Sequence, residues 1–184
     1  MIIANPVKAG ERCIAKSSEG PMTASGKTIA NTLLEISFQQ PGMSLDHMKL
    51  QKLMYFAHGW HLALVGRPLI RDGFEAWPYG PVNRSVYQEF RHFGAAPINC
   101  YASEFAPGET VPKAYVLRKD FKDSYDVIHG VWEKYSSFTA LQLSDMTHEA
   151  GTPWSIAKQR GQAQIPDSDI SAYFNTLLRN SRVQ

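Results

Sequence analysis

The sequence predicts a mainly α-helical, α+β domain, a compact arrangement of about five to six helices with a small antiparallel sheet of two or three strands. Three observations predict it. Apolar residues recur at helical spacing in several separate segments. Helix-starting and helix-stopping residues bracket those segments. Only "LIRDGFEAW" and "KAYVLR" read as strands.

The 184 residues are enough to bury a core without metals or disulfide staples. Hydrophobic residues make up 43% and charged residues 20%, the balance of a globular chain. A net charge of +2 lacks the clustered basic excess of a general nucleic-acid binder. Cys13 and Cys100 stand far apart, outside any C-x-x-C pattern, and read as reduced thiols of a cytoplasmic protein. No window approaches the roughly 18–20 apolar residues that span a bilayer. The first 20 residues contain no sustained apolar run of the kind a secretory signal carries.

Residues 1–21 lack periodicity and carry Pro6, Gly10, Ser17, Ser18, Gly20 and Pro21, so a weakly ordered extension is expected before a domain over 22–184. Met22 is a candidate start of translation. Helix one runs from Lys27 with Ile29, Leu33 and Ile36 on one face and Ser25 as N-cap, and "QQPG" ends it. Helix two is expected to start at Ser44, with Asp46 in its first turn. Its stripe is Leu50, Leu53, Met54, Ala57, Trp60 and Leu64, and Gly66 and Pro68 stop it. Asp72-Gly73 reads as a two-residue hairpin turn between strands near 68–71 and 74–77. Pro81 suits the first position of helix three, whose stripe is Val82, Val86, Phe90 and Phe93 before Gly94.

Residues 113–118 are a third candidate strand. Helix four covers about 121–136, with Val127, Ile128, Val131, Trp132 and Tyr135 inward. Thr139-x-x-Gln142 is a capping box opening helix five, which Gly151 closes. Thr152-Pro153 starts a short helix through Arg160. Asp167 or Ser168 caps the last helix, with Ile170, Tyr173, Phe174, Leu177 and Leu178 on one face.

Catalytic patterns are sparse. His58 and His61 lie three apart on helix two, but neither has a carboxylate or thiol at i+4 to complete a metal set, and His61 is expected to face outward. His148-Glu149 is half of H-E-x-x-H, but position 152 is Thr. A hydrolase using His148 and Glu149 is therefore a distant alternative. No G-x-S-x-G, phosphate loop or dinucleotide fingerprint occurs. Asp120, Asp123 and Asp126 read as solvated charge at a helix start. No cofactor is expected. Trp60, Trp77, Trp132 and Trp154 are expected to share a core, while an exposed Trp77 or Tyr79 would point to a partner surface.

The stretch 50–90 carries "LQKLMYFAHGWHL", a predicted hairpin and "EAWPYGPV". Leu50, Gln51, Lys52, Leu53, Tyr55, Ala57, Gly59, Trp60 and Leu62 fit one motif. Glu75, Ala76, Trp77, Tyr79, Gly80, Pro81 and Val82 fit a second. "LSDMTHEAGTPW", with Thr147, His148 and Trp154, and "IPDSDISAYF" follow. Together these resemble the Panacea domain, the SocA-like or GepA phage-associated family, over about residues 24–180.

The resemblance implies an antitoxin that neutralises a cognate protein toxin by direct contact, sometimes in prophages. It also implies an adaptor form that delivers the toxin to a bacterial protease. The toxin is expected from the adjacent gene, with no catalytic residues and no membrane partner. A nucleic-acid-binding regulator of its own operon is the leading alternative. Arg84, Tyr87, Gln88 and Arg91, on the outward face of helix three, are the expected partner contacts. "EAWPYGPV" is expected to be a brace, with Trp77 plugging the core, Gly80 permitting the turn and Pro81 starting helix three, and to be the last place to hold residues that choose the partner.

Overall fold

The computed structural model describes residues 7–8, 23–105 and 108–181. The expected extension and Met22 lie outside the described residues, apart from β1 (Val7–Lys8), which pairs antiparallel with β4 (Cys100–Tyr101). The remaining elements are α1 (Gly26–Phe38), α2 (His47–Val65), β2 (Phe74–Trp77), β3 (Gly80–Val82), α3 (Arg84–Phe90), α4 (Lys122–Tyr135), α5 (Ala140–His148), α6 (Pro153–Gln159), β5 (Gln164–Ile165) and α7 (Asp167–Ser181). A 3-10 turn, Arg91–Phe93, extends α3 to Gly94. The architecture is mainly α with a small antiparallel sheet in the order β3-β2-β5.

α2 is the central helix. Every residue from Leu50 to Gly59 is buried, as are His61 and Leu62, and α1, α4, α5 and α7 pack around it. A helix enclosed this way cannot keep a polar face in water, so its polar residues must find partners inside. Leu64, expected in the apolar stripe, instead stands 53% exposed near the C-terminal end.

The N-cap of α2 is Asp46 rather than Ser44: its carboxylate accepts from Lys49 N at 2.8 Å. Leu45 and Leu50 occupy the positions before the cap and in the second turn, and both are buried. Leu45 O also accepts from Ile98 N at 2.9 Å, which holds the chain out of helical geometry until Asp46. The expected caps at Ser25, Thr139 and Thr152 all form, the second as a full capping box.

The hairpin lies elsewhere than expected. Asp72 does not turn one; its carboxylate accepts from Gly26 N at 2.9 Å and so ties off the start of α1. Residues 69–71 pair with Ala24 instead, through Ala24 N to Leu69 O at 2.9 Å and Arg71 N to Ala24 O at 3.0 Å. The true hairpin joins β2 to β3 through Pro78-Tyr79, with Trp77 opposite Gly80, Ala76 opposite Pro81 and Glu75 opposite Val82. Pro81 is therefore a strand residue and not the first residue of a helix. It sits on an edge strand, where a missing N–H is tolerated. Residues 113–118 form no strand beyond a bridge between Lys113 and Glu104. β5 supplies the third strand, with Phe74 opposite Ile165.

Alternation along β2 buries Phe74 and Ala76 and turns Glu75 and Trp77 outward. Trp77 is thus not a core plug. Of the four tryptophans only Trp132 is fully buried; Trp60, Trp77 and Trp154 are half-buried.

α3 begins at Asn83, which is fully buried and uses all its polar atoms. Oδ1 accepts from Val86 N at 3.2 Å, Nδ2 donates to Gly73 O at 3.1 Å, and the backbone N donates to Gln51 Oε1 at 2.7 Å. Asn83→Ala removes the cap and orphans a carbonyl, so it should cost about 2–3 kcal/mol of stability. Urea unfolding monitored by circular dichroism measures this, and an unchanged midpoint would refute the role given to Asn83.

Candidate functional site

Backbone carbonyls in a short hairpin normally point at a neighbouring strand or at water. Here five side chains from α2, α5 and α6 reach the carbonyls of the segment 77–83. Trp154 Nε1 donates to Trp77 O at 2.8 Å, and His148 Nε2 lies 3.1 Å from Pro78 O. Ser144 Oγ donates to Tyr79 O at 3.1 Å, Lys52 Nζ to Pro81 O at 3.2 Å, and Gln51 Nε2 to Asn83 O at 3.2 Å. His148 Nδ1 is 2.6 Å from the Ser144 carbonyl of its own helix, and its ring packs 3.8 Å from that of Trp154. The segment is gripped residue by residue from behind.

Lys52 is 1% exposed, and burial pushes its ammonium down to about 7. Burial likewise lowers His47, whose ring stacks 4.9 Å from that of Tyr87 and which also feels the charge of Lys52. Gly80 makes the grip possible. Its φ is +100°, and a Cβ there would lie 2.7 Å from Thr147 Oγ1 and 2.8 Å from Lys52 Nζ. Thr147 is itself buried and donates to Ser144 O at 2.7 Å. Thr147 and Gly80 serve the contact between α5 and β3.

The outward side of the hairpin is aromatic. The Trp77 ring lies 4.5 Å from that of Tyr87 on α3, and the Arg84 guanidinium sits 5.7 Å from its centre. Arg84 grips Glu75 with two hydrogen bonds of 2.7 and 2.8 Å, and Trp77 Nε1 donates to the same carboxylate at 2.7 Å. The Arg84 bond, opposed by burial and aided to a lesser extent by the Trp77 bond, holds the Glu75 carboxyl below the usual range. Of the four expected contact residues, Arg84, Gln88 and Arg91 are exposed and Tyr87 is half-buried. Arg84 and Tyr87 are thus tied to the hairpin, while Gln88 and Arg91 extend the face along α3. Tyr79 at the tip is 74% exposed.

The other candidate chemistry disperses. His61 is fully buried, against the expectation that it faces outward: Nδ1 donates to Arg67 O at 2.7 Å, leaving Nε2 to accept from Ser124 at 2.9 Å. His58, equally buried, accepts from Ile70 N at 3.2 Å and faces Asp167 at 3.1 Å. Both rings serve as packing struts. Glu149 is the exposed C-cap of α5, while the His148 ring turns to the hairpin. Among the described residues no three His, Cys, Asp or Glu side chains converge as a metal set. No helix of the described residues is long and apolar enough to cross a membrane.

Sequence reasoning found Gln51, Lys52, His148 and Trp154 as motif residues but foresaw none of them, nor Ser144 and Asn83, as partners of the hairpin. The available signal was the pair Gln51-Lys52 inside an otherwise apolar run of helix two.

Residues 50–155 match the family described as Antitoxin SocA-like, Panacea domain. That span begins one residue before Gln51 and ends one after Trp154, so it contains the hairpin and every side chain that grips it. No solved structure matches the chain significantly. Over 141 residues it is 30% identical to Antitoxin SocA of Caulobacter vibrioides (strain NA1000 / CB15N), covering 76% of this chain and 73% of that protein. The gripped hairpin lies within the span that matches, and the chain belongs to the SocA-like Panacea domain family of antitoxins.

Proposed function

We propose that the protein neutralises a cognate protein toxin by direct contact, with the face built on β2 and α3 turned to the toxin. One observation carries the reading: the segment that matches the antitoxin family holds the hairpin and α3, which present Tyr79, Arg84, Gln88 and Arg91 to solvent. Arg84, Tyr87, Gln88 and Arg91 supply the contacts along α3. Whether the bound toxin is occluded or handed to a protease, the same contact is required.

Co-expression with the product of each gene flanking this one tests the reading. Growth arrest caused by one of them should be relieved by this protein. Failure to relieve arrest by either product would sink the proposal. Arg91→Glu combined with Gln88→Ala should weaken rescue without changing the melting temperature, because both side chains are exposed. Arg84 is a poorer probe, since its replacement also releases Glu75. Toxin levels that fall with rescue, and recover when the host protease is deleted, would assign the adaptor route; steady levels would assign occlusion.

A further inference from the structure

The hairpin tip is the feature that the antitoxin reading leaves unused. A large aromatic side chain left 74% exposed at Tyr79 is ordinary on a mobile loop. Here it stands on backbone whose carbonyls at 77, 78, 79 and 81 are all engaged from behind by Trp154, His148, Ser144 and Lys52. Gly80 is sealed against Lys52 and Thr147. The backbone at the tip is thus held from behind, and the phenol is the large side chain it presents to a partner.

We propose that Tyr79 is the anchor residue of the toxin contact, inserting its ring into an apolar pocket on the toxin surface. The inference rests on the antitoxin reading and names the residue that dominates it. Preorganisation supports it: ordering a loop costs binding energy, and the hydrogen bonds from Trp154, Ser144 and Lys52 already order the hairpin backbone. Tyr itself has two side-chain torsions, so little freedom is lost when the ring is seated.

Charge decides the class of partner. The cation nearest the aromatic face, Arg84, is neutralised by a bidentate bond to Glu75. The exposed charges on neighbouring α5 include Asp145 and Glu149. Arg91 is an exposed cation on the same face, but a single unclustered cation does not make the basic patch that a polyanion needs, whereas an apolar protein pocket finds an exposed aromatic ring. On the same hairpin, the Trp77 ring lies 4.5 Å from that of Tyr87.

The test uses the full chain and whichever flanking gene product it neutralises, with affinity read by calorimetry. Tyr79→Ala should weaken binding by about thirtyfold or more, the size expected of an interface anchor. Tyr79→Phe should stay within about fivefold of the parent, since it keeps the ring that fills an apolar pocket. Leu64→Ala, at another exposed apolar side chain on the far end of α2, should bind as the parent does. All three should melt as the parent does.

Tyr79→Ala binding within about twofold of the parent, in a parent that binds and rescues, would overturn the proposal and leave the antitoxin reading standing. So would a greater loss at Leu64 than at Tyr79. A parent that binds neither flanking product and rescues neither would overturn both.

Discussion

Replacing Phe174 with alanine should lower the unfolding free energy by about 3–5 kcal/mol, the range for emptying a buried aromatic site. Phe174 is fully buried on α7, and its ring centre lies 5.3 Å from that of Trp60, 6.1 Å from Tyr55 and 6.3 Å from Phe56. It rests directly on Gly59 of α2. A Cβ at Gly59 would come 2.2 Å from Cε2 of Phe174, an overlap that no rotamer adjustment in a packed core absorbs.

Gly59→Ala should therefore destabilise by about 1–3 kcal/mol, despite a helix propensity gain of about 1 kcal/mol. The two changes should be strongly non-additive. In the Phe174→Ala background the new methyl enters empty space, so Gly59→Ala should turn neutral or stabilising. Guanidinium unfolding of the four proteins in this cycle measures the coupling. Equal costs for Gly59→Ala in both backgrounds would mean that the contact between α2 and α7 is not the one described.

The second large effect is a dependence of stability on pH that originates at Lys52. Its folded pKa is about 7, against 10.5 for the ordinary side chain, because burial disfavours the ammonium. Between those two values the unfolded chain carries a proton on Lys52 that the folded protein lacks. Stability therefore rises with pH through this window by about 1.4 kcal/mol per unit, and the contribution is flat below about pH 7, where both states are protonated.

From pH 7.5 to 9.5 the expected gain is about 2–3 kcal/mol. Lys52→Met fills a similar volume without a titrating group. The difference between the two proteins isolates the Lys52 slope from other ionisations. Parallel stability curves for the two proteins across this range would show that Lys52 keeps its proton on folding. The neutral amine can still donate to Pro81 O, so the hairpin grip survives the loss of charge.

Much of the helical framework was legible in the sequence, because caps and apolar spacing act locally. Ser25, Thr139 and Thr152 each bond an amide three residues ahead, and such bonds require only the local sequence. The errors occur where a local signal met a stronger distant partner. Asp72-Gly73 has the residues of a tight turn, yet Asp72 caps α1, forty-six positions back in the chain. Pro81 suits a helix start, yet β2 claims it as a strand residue opposite Ala76. Ser44 is a good N-cap, but burial of Leu45 moves the cap to Asp46.

The candidate surface divides in the same way. Arg84, Gln88 and Arg91 could be placed on the outer face of a helix from periodicity alone, and they are there. Trp77 could not be placed, because a strand position is inward or outward only relative to a register, and a register set by Pro78-Tyr79 turns Trp77 out. "EAWPYGPV" was expected to brace the fold through Trp77 in the core, but Trp77 turns outward and the segment is itself held by Gln51, Lys52, Ser144, His148 and Trp154 from behind. That hold leaves Tyr79, within the segment itself, as the most exposed aromatic side chain among the exposed large hydrophobics of the described residues.

The sequence by itself determined the helical segments, the caps at Ser25, Thr139 and Thr152 and, through its motifs, the antitoxin family, since all of these depend on residue identity at short spacing. Only the tertiary structure decided which way the hairpin faces and what holds it. Those answers depend on hydrogen bonds between residues far apart in the chain, such as that from Trp154 to Trp77 across 77 positions, and no local pattern encodes such a distance.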